Sequence, residues 1–185
     1  VIAALYAAAQ HGVEIDLLVR GICCLRPGVK NVSANIRVHA VVDRFLEHAR
    51  IYHFKNGGQD EVYCSSADWM PRNFRRRVEV MWPIVDEALK RRMIDEILGT
   101  MRADTAKGWL LQSDSTYQKV STRTGEVALR SQTRFMELAR ERAREAEPLL
   151  SLGSKSLIPA SSPRAALEKL RRKDRKKKKR KRPTF

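Results

Sequence analysis

The sequence predicts an α/β protein in which helices flank a mixed sheet and a basic, disordered tail follows. An apolar helix-like segment (residues 1–10) is followed at once by a strand-like one (residues 13–19), which is the pattern of α/β layers. Further short apolar runs come before two amphipathic segments, and the chain ends almost entirely in Lys and Arg. A length of 185 residues with 43% hydrophobic content is enough for one domain with a core.

The first helix and strand are expected at the start of the chain. Residues 1–10 are Ala-rich and stop at His11-Gly12, as helices stop at a glycine. Residues 13–19 alternate and then become continuously apolar, which favours a strand that enters the interior of a sheet. Since the helix lacks an initiator Met and an N-cap residue, we expect an N-terminally truncated domain.

Four more strands are expected, at residues 36–42, 50–54, 62–65 and 78–83. The Asn56-Gly57-Gly58 turn predicts a hairpin between residues 50–54 and 62–65. Residues 43–47 are interpreted as a link with or without a helical turn, and residues 67–74 as a loop or a short helix.

Two amphipathic helices complete the predicted domain, which spans residues 1–147. The first covers residues 86–101, with Asp86 as its cap and Gly99 near its end. The second covers residues 131–147. The polar, turn-rich residues 114–126 between them are expected to form a surface excursion.

Residues 148–185 form a Ser/Pro-rich linker and a Lys/Arg-rich tail that cannot bury enough apolar surface to order itself. Residues 164–182 hold 13 Lys or Arg against two acids, which is a net +11 of the chain's +16. Such a tail either contacts polyanions through counterion release or simply solubilises the chain. Sequence-specific nucleic-acid recognition is disfavoured, because neither interleaved aromatic residues nor a groove-reading helix accompanies the basic run.

A cytoplasmic protein is expected, because no run approaches the roughly 18 apolar residues of a membrane span and no secretory signal is present. Peripheral association with a membrane is left open. The odd set of Cys23, Cys24 and Cys64 is typical of buried reduced thiols rather than of a disulfide framework. Their spacing also lacks the ligand pairs of a zinc site.

Candidate site residues lie at the ends of the predicted strands. Arg20 follows the first strand, where α/β sheets collect ligands and a guanidinium can bind a phosphate in bidentate fashion. His48 precedes a strand, and a Ser-Ser-Ala-Asp cluster (residues 65–68) ends the next one. A neutral imidazole can take up a proton or a phosphoryl group, so phosphate chemistry is the leading hypothesis. From the residues alone, His48 is equally compatible with a role in a site and with a structural role. Structural roles are favoured for His11, His39 and His53.

Several motifs resemble, in order, the C-terminal catalytic domain of the bacterial polyphosphate kinase family. They are LVRGICCLRPG (residues 18–28), NIRV (35–38), RFLEH (44–48), NGG (56–58) and SSADWMPRN (65–73). The resemblance runs over residues 1–86 and more loosely to residue 147.

The resemblance implies a phospholipase D-like fold, in which two such domains face each other across one active site. Each half of such a site supplies a histidine, a base two residues later, and then Ser and Asn or Asp. The family's reaction is the reversible transfer of the terminal phosphate of ATP to polyphosphate, through a phosphohistidine and with Mg²⁺. It also implies a homo-oligomer that binds ATP, ADP and inorganic polyphosphate.

By position in the motifs, Arg20 corresponds to an arginine on the nucleotide phosphates, and His48 to a second active-site histidine that can protonate the leaving oxygen. We infer further that Asp68 orients His48, and that Arg50 and Arg72 are weaker candidates for the chain phosphates. The phosphate-accepting histidine and the Mg²⁺ site belong to the family's preceding domain, so no metal ligand is assigned here. We therefore expect the 185-residue chain alone to bind ATP or polyphosphate weakly without turnover. A non-enzymatic polyanion binder that acts through its tail is the alternative.

Overall fold

Seven strands are present in the computed structural model, which describes residues 1–122 and 125–153. The strands are β1 (Ile15–Leu18), β2 (Ile36–Val41), β3 (Ile51–Phe54), β4 (Glu61–Ser65), β5 (Met81–Pro83), β6 (Gly108–Leu111) and β7 (Tyr117–Lys119). The helices are α1 (Ile2–Gln10), α2 (Pro71–Arg76), α3 (Glu87–Arg91), a π-helical stretch (Arg92–Leu98), α4 (Gly99–Arg102) and α5 (Ser131–Gly153). The chain divides into two compact units, Val1–Leu138 and Ala139–Phe185, and both sheets lie in the first.

The larger sheet is mixed, with the strand order β1-β2-β6-β7. Strands β1 and β2 run parallel, with Ile15 opposite Ile36, and the other two pairs are antiparallel. Because alternate residues of a strand share a face, Ile36 and Val38 point to the same side. That side holds the core, formed by Ala9, Leu25, Ile36, Val38 and Leu111, with Leu5 and Tyr6 packed against it.

The smaller sheet is antiparallel, with the order β3-β4-β5. The predicted hairpin between β3 and β4 is confirmed, and Gly57 and Gly58 have φ angles of 64° and 99° in its turn. This sheet leaves large apolar side chains in solvent: Phe54, Met81 and Trp82 are 53%, 54% and 46% exposed.

The predicted α/β class is confirmed, but the strands form two sheets where one was expected. Strand β6 was not predicted at all, and β7 lies within residues 114–126, which were expected to be a surface excursion. All three residues of β7 are indeed exposed, and the strand forms because its backbone pairs with β6, a contact that local polarity does not reveal.

The predicted helix at residues 86–101 is confirmed, and Asp86 caps it by accepting a hydrogen bond from the Leu89 amide at 2.8 Å. Gly99 does not end it, because its φ and ψ of −60° and −48° are helical. Helix α5 runs past its predicted end at Glu147 to Gly153, so residues 148–153, which were expected to belong to the linker, are helical. The rest of the predicted linker and tail, from residue 154 onward, lies outside the described residues. Within the described residues, no helix is both long and apolar enough to cross a bilayer.

The start of α5 is tied to the turn before β6 by Asp104, which is 1% exposed. Its carboxylate accepts hydrogen bonds from the Ser131 amide and hydroxyl and from the Lys107 amide, each at 2.7 Å. Gly108 lies directly against this turn, because a Cβ placed there would be 2.0 Å from the Asp104 carbonyl oxygen. Only glycine therefore fits at the first residue of β6.

Candidate functional site

Arg20 follows β1 at its carboxyl end, as the sequence predicts. Its guanidinium donates a hydrogen bond to the backbone carbonyl of Glu47. A second guanidinium nitrogen lies 3.7 Å from a carboxylate oxygen of Asp68, with the arginine side chain 33% exposed. Arg20 thus joins the end of β1 to two segments that are distant in sequence.

His48 and Arg50 lie in the irregular stretch between β2 and β3. Arg50 Nη1 is 3.0 Å from His48 Nδ1, and Nη2 is 2.8 Å from Nε2. A neutral imidazole has one acceptor nitrogen, so only one of these contacts is a hydrogen bond. His48 is exposed, which leaves its ring accessible to a ligand.

Asp68 follows β4 and holds both arginines. Its Oδ1 lies 3.0 Å from Nε and from Nη2 of Arg50, in addition to the longer contact with Arg20. The predicted partner of Asp68 was His48, but its direct partners are the arginines, so any effect on the imidazole passes through Arg50. We call the side chains of Arg20, His48, Arg50 and Asp68 the arginine–histidine cluster.

The charge state of Asp68 is set by two opposing effects. Partial burial raises the pKa of the Asp68 carboxyl, but the hydrogen bond and charge of Arg50 and the charge of Arg20 outweigh it. The pKa therefore lies below its ordinary value, and the carboxylate is charged at neutral pH. The cluster keeps one positive charge in excess when His48 is neutral.

The two serines of the Ser-Ser-Ala-Asp cluster bind protein groups. Ser65 donates to the Val80 carbonyl at 3.1 Å, and Ser66 donates to the carboxylate of Glu79. Asn73 also donates to Glu79, at 2.6 Å. Hydrogen bonds from Ser66 and Asn73 lower the pKa of Glu79. Sequence reasoning missed this carboxylate, which no motif marks and which orders the strand end beside Asp68.

Arg72 lies apart from the arginine–histidine cluster in its contacts. It is exposed on α2 and forms no ion pair with another described residue. Three more exposed arginines follow it, Arg75, Arg76 and Arg77. The structure therefore brings together four of the five predicted site residues.

Comparison with known proteins identifies the domain. The family model described as polyphosphate kinase C-terminal domain 2 matches residues 1–132. The chain belongs to the polyphosphate kinase family. This membership confirms the resemblance carried by the sequence motifs.

Named polyphosphate kinases are similar to this chain over most of its length. The polyphosphate kinase of Synechocystis sp. is 53% identical over 135 residues, which are 73% of this chain and 18% of the relative. That of Xylella fastidiosa is 46% identical over 137 residues, or 74% of this chain and 20% of the relative. The chain thus spans about a fifth of the length of the curated relatives it matches.

A crystal structure of the polyphosphate kinase from Porphyromonas gingivalis matches the fold, with a TM-score of 0.72 and 42% identity. The match covers 78% of this chain and 22% of that one. It confirms the phospholipase D-like α/β fold that the family resemblance implied.

A polyphosphate kinase fold does not by itself place a metal in this domain. No group of three or more His, Cys, Asp or Glu side chains suited to a metal ion occurs within the described ranges. Asp68, the carboxylate of the arginine–histidine cluster, already pairs with two arginines. This donor set does not fit Mg²⁺, which prefers oxygen ligands and is repelled by neighbouring guanidinium groups.

Proposed function

We propose that this chain supplies one half of a polyphosphate kinase active site, in which the arginine–histidine cluster binds the phosphates of ATP, ADP and polyphosphate. The reaction is the reversible transfer of the terminal phosphate of ATP to polyphosphate, through a phosphohistidine outside this chain. One observation carries the proposal: Arg20 and Arg50, from two separate segments, both pair with Asp68, and Arg50 also contacts His48.

Phosphoryl transfer requires alignment and charge neutralisation more than covalent chemistry from the protein. Arg20 and Arg50 are two guanidinium groups that can stabilise charge on the equatorial phosphate oxygens. The bond between the terminal phosphorus and its bridging oxygen breaks as the bond to the accepting imidazole forms. Once a phosphate has taken over the guanidinium protons of Arg50, His48 no longer needs to accept from Arg50 and can carry a second proton. It then gives that proton to the departing bridging oxygen, and in the reverse direction it takes the proton back.

Asp68 has a positioning role in this proposal. Its carboxylate holds Arg50 against His48 and lies near Arg20, so the two cations share one anion before substrate binds. An incoming phosphate competes with Asp68 for the same guanidinium protons. A single carboxylate against two arginines leaves a net charge of +1, which attracts a further anion to the cluster.

No step assigned to these residues uses Mg²⁺, because the cluster does not offer it a suitable set of ligands.

The working protein is proposed to be a cytoplasmic homo-oligomer. Arg72 remains a weaker candidate for contact with the polyphosphate chain, since its side chain is exposed and free of ion pairs within the described residues.

Calorimetric titration of the 185-residue chain with tripolyphosphate and with ADP tests the binding step. Arg20→Gln is expected to weaken tripolyphosphate binding by about tenfold, because a charge-assisted contact is lost. Arg37→Gln is the matched control: it removes the same charge from β2, where Arg37 pairs with Asp16 at 2.7 Å instead. Equal affinities for the two variants would contradict the proposal.

Removal of residues 164–185 separates this proposal from binding through the tail. A chain that binds through the arginine–histidine cluster keeps most of its affinity for tripolyphosphate after the truncation. Loss of most of the affinity would favour the alternative, a polyanion binder that acts through its net +11 tail.

Turnover needs the other half of the active site. The test is a chimaera in which residues 1–132, the range that the family model matches, replace the corresponding segment of the Synechocystis relative. His48→Ala in that chimaera should abolish nearly all polyphosphate synthesis while leaving the fold intact, and wild-type turnover would refute the role of His48. The 185-residue chain alone should not couple ADP release to chain growth.

A further inference from the structure

The irregular residues 43–47, which lead to His48, are held at both ends by two residues around the start of α5, Arg130 and Gln132. These residues form no helix or strand, so no backbone ladder fixes their position. We call them the 43–47 segment. Its last residue, Glu47, also accepts the hydrogen bond from Arg20 on its backbone carbonyl. Whatever positions this segment therefore positions two members of the arginine–histidine cluster.

Gln132 contacts the segment through every polar group of its side-chain amide. Its Oε1 accepts a hydrogen bond from the Phe45 amide at 2.9 Å, and its Nε2 donates to the Phe45 carbonyl at 2.8 Å and to the Glu47 carboxylate at 2.7 Å. The network fixes the amide orientation, because the opposite one would face donor with donor and acceptor with acceptor. Gln132 is 5% exposed, so water does not readily replace these partners.

Arg130 holds the other end of the segment. Its Nε and Nη2 donate to the two carboxylate oxygens of Asp43, at 2.7 Å and 2.6 Å. The side chain of Asp43 is 3% exposed, and that of Arg130 is 44% exposed. Bidentate pairs of this kind add directional specificity to their charge attraction.

We propose that Gln132, assisted by Arg130, is a positioning residue for the arginine–histidine cluster: it fixes the 43–47 segment so that Glu47 meets Arg20 and His48 meets Arg50. This inference rests on the proposed function, since it assigns Gln132 a role in phosphate binding. The side-chain amide of Gln132 bonds Phe45 and Glu47 and acts on the cluster through the segment. A role confined to fold stability would leave the geometry of the cluster unchanged in a folded variant.

Gln132→Glu tests the inference with nearly unchanged side-chain volume. The new carboxylate can still accept from the Phe45 amide, but it faces the Phe45 carbonyl and the Glu47 carboxylate with no proton to donate. Tripolyphosphate binding by the 185-residue chain is expected to weaken roughly tenfold, since two partly buried acceptors lose their donor and two carboxylates face each other. The NMR resonance of the His48 imidazole should shift in the ligand-free variant.

Two further variants sharpen the result. Gln112→Glu is the matched control: Gln112 donates to the Leu110 carbonyl at 3.2 Å, outside the segment, and its substitution should change neither readout. The double variant Glu47→Gln with Gln132→Glu restores a donor opposite a carboxylate, and it should recover part of the lost affinity. No recovery in a folded double variant would contradict the assigned contact.

The outcomes separate the two proposals. No binding of tripolyphosphate by the wild-type chain overturns the proposed function and the inference together. Wild-type binding, with equal binding by Gln132→Glu and an unmoved His48 resonance, overturns the inference alone. Should circular dichroism show that Gln132→Glu does not fold, Arg130→Gln replaces it. It is expected to weaken tripolyphosphate binding by a few-fold relative to Arg37→Gln, because one of the two ties on the 43–47 segment is lost. Affinity equal to that of Arg37→Gln overturns the inference.

Discussion

Arg50 binds Asp68 through a single carboxylate oxygen, with its Nε and Nη2 each 3.0 Å from Oδ1. Both side chains are largely buried, at 17% and 19% exposure. The same guanidinium lies against the ring of His48. The orientation of Arg50 is therefore set by an anion on one side and an imidazole on the other.

Asp68→Asn should destabilise the chain by about 1–3 kcal/mol, because a largely buried arginine loses its charged partner. The measurement is the free energy of unfolding in urea at pH 7. Asp60→Asn is the matched control, since Asp60 pairs with His53 at the surface and is 46% exposed. That variant should stay within about 0.5 kcal/mol of wild type. Equal losses in the two variants would contradict the reading of Asp68 as the anchor of the cluster.

Asp104→Ala should cost about 3 kcal/mol or more in the free energy of unfolding. It leaves the buried Ser131 amide and hydroxyl without their acceptor and removes a cap from α5. Asp114→Ala removes an exposed turn carboxylate that accepts from Thr116, and it should cost well under about 1 kcal/mol. A small effect at Asp104 would show that α5 is held by other contacts.

Gly108→Ala should destabilise the chain by several kcal/mol or prevent folding. The added methyl group would lie 2.0 Å from the Asp104 carbonyl, so the backbone of one partner must move. Gly21→Ala provides the comparison, because no described atom beyond its chain neighbours lies within 4 Å of a Cβ at that position. Thermal unfolding followed by circular dichroism measures both, and similar midpoints would contradict the close approach.

The stability of the fold should fall between pH 7 and pH 5 because of His39. Burial lowers the pKa of this histidine, more than the nearby charge of Asp16 raises it, and the charges of Arg102 and Arg37 lower it further. The unfolded chain therefore binds a proton at His39 more readily than the folded chain does. The contribution of neutral His39 to the free energy of unfolding is fully present above the unfolded pKa of about 6.5, and it is lost as the pH falls towards the lower folded pKa. Urea unfolding of His39→Gln at pH 7 and pH 5 should show a shallower decline than wild type. Equal declines in the variant and in wild type would contradict a role for His39 in the pH dependence of stability.

The sequence predicts those helices and strands whose apolar residues recur with a clear helical or strand spacing. The β3–β4 hairpin follows from alternation around a glycine turn, and the helix that begins after Asp86 follows from its cap and apolar spacing. Strands β6 and β7 lack such a signal, since one is a short apolar run and the other is polar and exposed. The division into two sheets depends on which strands pair, and such pairing is decided by contacts between distant residues.

The candidate site was predictable where a motif names the residue. Arg20, His48, Arg50 and Asp68 were all identified from the sequence, and they do meet. The partners of Asp68 were not identified from the sequence, because a motif gives the position of a carboxylate but does not show which cation binds it. Gln132 carried no signal either, since a glutamine at the start of a helix looks like an ordinary surface residue.

The contacts that hold the 43–47 segment come from residues 85 to 87 positions further along the chain. Closing so long a loop is slow compared with forming a helix or a hairpin. On the ribosome, the β3–β4 hairpin can assemble well before α5 begins to emerge. His48 therefore acquires its final surroundings late in biosynthesis, and ligand affinity should be among the last native properties to return during refolding.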